Sequence, residues 1–144
     1  MNKYIIFLFV IITSFTTALS QNNTFDIKGK WELEGTQGYK LIIEFAESGM
    51  VTILMGKQRI HGGEYMNSEG IACKSLYKND YPENQNFLDF IEVNIETNEV
   101  IKTERLLYYF LDKNKFKLCG SFEGEIRPES CGNMTPMIFI RSSE

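Results

Sequence analysis

The sequence is poor in the residues that many catalytic and metal sites require. Its 144 residues include one histidine, His61, which excludes mechanisms and zinc sites built on two imidazoles. The three cysteines form no Cys-x-x-Cys pair, so a metal knuckle or dithiol redox site has no support. A net charge of −4 argues against a nucleic-acid partner. No nucleophile with a neighbouring base emerges, and we expect a protein that is not an enzyme and uses no cofactor or metal.

Long hydrophobic runs are also scarce, and the main one lies at the N-terminus. Residues 1–20 combine a basic start at Lys3, an apolar run and the small-residue site Ala18-Leu19-Ser20, which together predict a secretory signal peptide. The alternative is a membrane anchor, but the run is shorter than the roughly 20 residues that span a bilayer. We therefore expect residues 21–144 to form one secreted or periplasmic domain with no membrane span.

The remaining chain has the composition of a folded domain with a β-strand pattern. Over all 144 residues, hydrophobic residues make up 43% and charged residues 24%, which is enough to bury a core. Apolar residues recur at every second position, and the runs are rich in β-branched and aromatic types. The predicted strands cover residues 30–34, 40–45, 50–55, 58–66, 71–76, 87–95, 100–111, 115–122 and 136–141.

Short turns between these strands favour an antiparallel up-and-down order. Closing such a sheet removes the exposed edges that an open meander would leave for aggregation. We predict an all-β fold, an antiparallel barrel of about eight to nine strands. A partly open barrel or a small sandwich is the alternative.

Outside the cytoplasm, cysteines can form persistent disulfides. Cys119 and Cys131 flank a connection rich in Gly, Glu and Pro, and we predict that they form a disulfide. Pairing of Cys73 with Cys119 across neighbouring strands is the rival. In the favoured pairing, Cys73 is left as a small buried hydrophobe, with a reactive thiol as the alternative.

Aromatic side chains on the strands allow two interpretations of the barrel interior. They can fill it as a core, or they can line a cavity for one small apolar ligand. The wall residues predicted for a cavity are Phe45, Ile53, Phe90, Tyr108 and Phe110. A shift of one residue in register would exchange the two faces of any strand.

Three polar features have a structural and a functional interpretation. Gly62 and Gly63 after His61 predict a bulge or a close backbone approach, and His61 itself is interpreted as structural. Asp89 lies in an apolar strand and is expected to be partly buried, either as part of a carboxylate pair or calcium site with Glu92, Glu96 and Glu99 or beside a polar partner inside the fold. Residues 77–86 and the segment around Arg127 are interpreted as loops, and a loop closed by a disulfide is suited to contact a partner protein.

Two stretches resemble a known family. Gly29-Lys30-Trp31 resembles the Gly-x-Trp opening signature of the lipocalin superfamily. The run from Tyr109 to Cys119, followed by Arg127-Pro128, is similar to a motif in small secreted bacterial lipocalin-like domains of uncharacterised function. The resemblance implies that Trp31, placed by its spacing from Gly29, closes one end of the barrel. It makes Arg141 the candidate for the arginine that stacks across this tryptophan.

These observations lead to one functional expectation and one alternative. The first is a secreted, noncatalytic, lipocalin-like binding module for a small apolar ligand. The alternative is a secreted inhibitor or another protein-binding domain that acts through its loops.

Overall fold

The computed structural model describes residues 25–35, 37–121 and 124–143, and within these ranges it contains ten β-strands and no helix. The predicted export signal, residues 1–20, lies outside the described residues. The strands are β1 (Gly29–Leu33), β2 (Leu41–Phe45), β3 (Val51–Met55), β4 (Gln58–Gly62), β5 (Glu64–Met66), β6 (Ala72–Lys78), β7 (Phe87–Asn94), β8 (Val100–Asp112), β9 (Lys115–Cys119) and β10 (Met137–Arg141). The described ranges contain no helix that is long and apolar enough to span a membrane.

All ten strands belong to one antiparallel sheet that curls into a nearly closed barrel. The order in the sheet is β4-β3-β2-β1-β10-β9-β8-β7-β6-β5. Strands that follow each other in sequence therefore pair, except for β4 and β5 at the two ends of the sheet, and the first strand pairs with the last. In that pairing Trp31 lies opposite Arg141. The predicted all-β, antiparallel up-and-down barrel is confirmed.

The two ends of the sheet approach each other at a pair of glycines. The single strand predicted over residues 58–66 is two strands, because β4 pairs with β3 whereas β5 pairs with β6. Between them, the amide of Gly63 donates to the carbonyl of Val51, and the carbonyl of Gly63 accepts from the amide of Ser75. Gly62 has a φ of +77°, and a Cβ there would collide with the Val51 carbonyl oxygen. The predicted close backbone approach is therefore present, and the split accounts for ten strands where nine were predicted.

Inward-facing side chains from most strands fill the barrel with aromatic and aliphatic groups. The ring of Phe116 lies 4.7 Å from that of Trp31 and 5.2 Å from that of Phe139, measured between centroids. The fully buried large side chains of this core include Trp31, Phe45, Phe116, Phe139, Ile27, Ile43, Leu88, Leu106 and Leu118. Of the two interpretations of the interior, the filled core describes this part of the barrel.

A disulfide between Cys119 and Cys131 joins the end of β9 to the connection that leads to β10. The predicted pairing is confirmed, and the rival bond from Cys73 to Cys119 is wrong. Cys73 is a buried free thiol on β6, and burial raises the pKa of this thiol. The disulfide holds the β9–β10 connection against the outside of the barrel.

Candidate functional site

The five residues predicted to line a cavity fall into two groups. Phe45, Ile53 and Phe90 are buried in the core cluster, where the ring of Phe45 lies 6.1 Å from that of Phe90. Tyr108 belongs to the same core cluster and Phe110 packs against it, but both stand further along β8, towards the end of the barrel formed by the turn between β8 and β9. The structure therefore brings only the second group to a surface depression large enough for a small molecule.

This depression, which we call the aromatic cleft, has a volume of about 450 Å³. It is lined by Phe25, Asn79, Asp80, Gln85, Asn86, Tyr108, Tyr109 and Phe110. The rings of Phe25 and Phe110 meet edge to face with centroids 5.4 Å apart, and Tyr108 lies 5.8 Å from Phe110. The cleft thus combines aromatic rings with the amide side chains of the β6–β7 loop.

The hydroxyl of Tyr108 is the polar group that connects the rings to the amides. Its oxygen accepts a hydrogen bond of 3.2 Å from Nδ2 of Asn79. Burial raises the pKa of Tyr108, so the phenol stays neutral at physiological pH. Because its oxygen is the acceptor in the bond from Asn79, the hydroxyl hydrogen is able to serve a ligand in the cleft.

The N-terminal segment 25–28 lies over the same end of the barrel and is tied to Trp31 and Arg141. The indole Nε1 of Trp31 donates to the carbonyl of Ile27 at 2.6 Å, and the guanidinium carbon of Arg141 lies 4.1 Å from the Trp31 ring centroid. Arg141 also donates to the carbonyl oxygens of Asp26 and Lys28. This arrangement positions Phe25 beside Phe110 at the edge of the aromatic cleft.

Gly29, the first residue of the Gly-x-Trp stretch, lies directly under this arginine. Its φ is +108°, and a Cβ would stand 3.2 Å from Nη1 of Arg141. A side chain here would be strained and would crowd the guanidinium. The structure thus brings Gly29, Trp31 and Arg141 together.

A second polar constellation fastens the two large loops to the outside of the barrel. Arg127, from the disulfide-closed connection, donates at 2.6 Å to Oδ1 of Asp89 on β7 and at 2.6 Å to the carbonyl of Leu106. Its guanidinium carbon lies 3.9 Å from the ring centroid of Phe87. From the β6–β7 loop, the hydroxyl of Tyr81 donates to Oδ2 of Asp89 at 2.5 Å. We call this group the Arg127 lock.

The Arg127 lock buries charge and perturbs a neighbouring phenol. The side chains of Arg127 and Asp89 are 15% and 6% exposed, so the ion pair is largely removed from water. Burial, followed by the hydrogen bond to Asp89, raises the pKa of Tyr81 to about 12. The expected partial burial of Asp89 is found, with Arg127 and Tyr81 as its partners.

Sequence reasoning missed this constellation because it interpreted the segment around Arg127 as a solvated loop. Ile126 fits that interpretation, since it is 88% exposed, whereas the adjacent Arg127 folds back onto the barrel. Asp89 and Arg127 are 38 positions apart, and nothing in their spacing reveals the pair. An acidic residue in an apolar strand was the available signal that a buried cation lay nearby.

Comparison with protein-family models, curated proteins and solved structures found no match for this chain. In the three described ranges, no group of three or more His, Cys, Asp or Glu side chains is arranged to hold a metal ion. Function is therefore inferred from the side chains of the aromatic cleft and of the loops beside it.

Proposed function

We propose that the protein is a noncatalytic, lipocalin-like binding module that works outside the cytoplasm, secreted or in a periplasm, and takes a small ligand in the aromatic cleft. The observation that carries the proposal is that aromatic rings and amide side chains converge on one depression of about 450 Å³. Ligand sites of this kind are mostly apolar, have a few directed polar groups and measure roughly 300–1,000 Å³. The disulfide supports the compartment, because such bonds persist in oxidising surroundings.

The lining indicates what such a ligand looks like. Phe25 and Phe110 offer ring edges and faces to a flat apolar group. The amides of Asn79 and Asn86 offer both donors and acceptors, and Asp80 adds a carboxylate. The proposed ligand is therefore a small molecule with an apolar face and hydrogen-bonding substituents. It sits at the end of the barrel, beside a core that is already filled.

A thermal-shift screen tests this proposal. A ligand that binds only the folded protein at 100 times its Kd adds about 2.7 kcal/mol to the free energy of unfolding. Phe25→Ala removes an exposed ring from the cleft, and Tyr39→Ala is the matched control, because Tyr39 is an exposed ring outside it. We expect ligands that raise the Tm of the wild type and of Tyr39→Ala by the same amount, with a smaller rise for Phe25→Ala.

Two outcomes of the screen would contradict the proposed ligand site. If a panel of apolar and amphipathic compounds leaves the Tm of the wild type unchanged, the cleft is not a ligand site. If compounds do bind but Phe25→Ala responds as fully as Tyr39→Ala, binding occurs elsewhere.

A second candidate function, recognition of a partner protein through the loops, is favoured by Ile126. This side chain is 88% exposed. On either side of it the backbone is held, since Arg105 donates to the carbonyl of Glu125 and Arg127 belongs to the lock. A segment whose backbone is held on both sides loses less entropy on binding, and its apolar side chain can enter a pocket on a partner.

Affinity capture from the fluid around the producing cells tests this second candidate. Ile126→Ser should abolish capture of a partner that the wild type retains, while the stability of the fold stays the same. Ile60→Ser is the control, because Ile60 is also an exposed isoleucine but lies on β4. Equal capture by the wild type and both variants would refute a role for the loop.

A further inference from the structure

A polar niche lies inside the barrel, away from the aromatic cleft. It is lined by His61, Ser75, Phe90, Ile91, Glu92, Lys102 and Glu104, which come from β4, β6, β7 and β8. The register explains the convergence, because Ser75 and Lys102 are both opposite Glu92, and Glu104 is opposite Phe90. The innermost space is about 10 Å³, roughly one water-sized position.

Glu104 is the unusual member of the niche. Its side chain is 6% exposed, and Oε1 accepts a hydrogen bond of 3.1 Å from Nζ of Lys102. The other oxygen, Oε2, is buried and has no hydrogen-bond partner among the described residues. A buried carboxylate oxygen without a donor destabilises the fold, because burial removes its hydrogen bonds to water and no protein group replaces them. A hydrogen-bond donor in the adjoining space would remove this cost by pairing with Oε2 of Glu104.

The net charge of the side chains that line the niche indicates whether this donor is neutral or cationic. Two carboxylates, Glu92 and Glu104, line the niche with one ammonium, Lys102, so the formal charges of these three side chains leave one negative charge in excess. Tyr65 adds no further negative charge, because burial and a hydrogen bond to Glu92 raise the pKa of its phenol and keep it neutral. A cationic donor would satisfy both the unpaired oxygen and the uncompensated charge, whereas a neutral donor would satisfy only the first.

We propose that this niche binds an ammonium group, either as the free ammonium ion or as the head of a small primary amine. An ammonium group is about the size of a water molecule, so it matches the available space. Its N–H donors can reach Oε2 of Glu104 while the side chains of Ser75 and His61 offer further acceptors. The niche is partly open to solvent, and a short alkyl tail can extend through that opening.

The test is a titration followed by backbone amide NMR at constant ionic strength. Ammonium chloride and methylammonium chloride are the probes, and potassium chloride is the control, because K⁺ has the charge and similar size but no N–H donor. We expect saturable shifts of the amide signals of His61, Ser75 and Glu104 with both probes and none with K⁺. A response to ammonium alone would support the proposal with the free ion as the ligand.

Two variants connect the response to the unpaired oxygen. Glu104→Gln removes the charge while keeping the shape of the side chain, and it should weaken binding by about tenfold or more. Glu64→Gln, an exposed strand glutamate on β5, is the matched control and should bind as the wild type does. If Glu104→Gln does not fold, the comparison of ammonium with K⁺ on the wild type still decides the question.

Three results would overturn the proposal. Absence of a saturable shift would mean that the niche does not bind an ammonium group. An equal response to K⁺ would show that donor chemistry plays no part, and shifts confined to other parts of the protein would place the cation elsewhere. Because the aromatic cleft is made of other residues, any of these results leaves the proposed function of the cleft untouched.

Discussion

Replacing Arg127 with methionine should destabilise the fold by about 3 kcal/mol. The substitution keeps an apolar stem against Phe87 and removes the donors to Asp89 and to the Leu106 carbonyl. Breaking a buried ion pair costs roughly 3–5 kcal/mol, because the remaining charge stays buried without compensation. The lower end applies here, since the Arg127 side chain retains 15% of its exposure and water can reach part of the site.

Equilibrium unfolding in urea measures this loss, and Arg105→Met is its matched control. Arg105 is an exposed arginine that donates at 2.6 Å to the carbonyl of Glu125 on the same connection, so its removal should cost less than about 1 kcal/mol. A double-mutant cycle with Asp89→Asn isolates the pair. Equal losses for the two arginines, or a loss at Arg127 that is unchanged in the Asp89→Asn background, would refute the assignment of the lock.

Three further perturbations probe the rest of the fold. Trp31→Ala should lower the free energy of unfolding by roughly 3–5 kcal/mol, because the indole is fully buried; a loss below about 0.5 kcal/mol in the same assay would contradict that packing. Replacing Cys119 and Cys131 together by serine should cost about 3 kcal/mol under non-reducing conditions by releasing a short loop, and an unchanged unfolding midpoint would show that the bond constrains little. The raised pKa of Tyr81 means that its neutral form is favoured in the folded state, so its contribution to stability is present below the unfolded pKa near 10 and is lost as pH rises towards about 12. Urea midpoints between pH 8 and 12 should therefore fall more steeply for the wild type than for Tyr81→Phe, and parallel curves would argue against the shift.

Much of the fold could be predicted because strand alternation is a local property. The periodicity of residues such as Trp31 and Leu33 indicated strands directly, and Gly62-Gly63 indicated the place where the backbone comes close to a neighbour. Which strand the backbone approaches at these glycines depends on the tertiary structure. For this reason the split of one predicted strand into β4 and β5, each with a different partner, could not be inferred from its own residues.

The candidate site was less predictable, since it depends on volume and on distant pairs. Alternation points Phe45 and Phe90 inwards, but whether inward side chains leave a cavity depends on rings such as Phe116 that arrive from other strands. The Arg127 lock joins groups from a strand and two loops whose mutual position only the closed barrel defines. The disulfide was easier to predict from the sequence, because its two cysteines flank a single connection.

The most direct test of where this barrel binds its ligand is NMR chemical-shift mapping with a compound selected in the thermal screen. We predict that the largest shifts fall on Phe25, Asn79, Asn86 and Phe110, whose side chains line the aromatic cleft. Shifts centred instead on core residues such as Ile53 would show that the ligand enters the barrel and would contradict the filled interior.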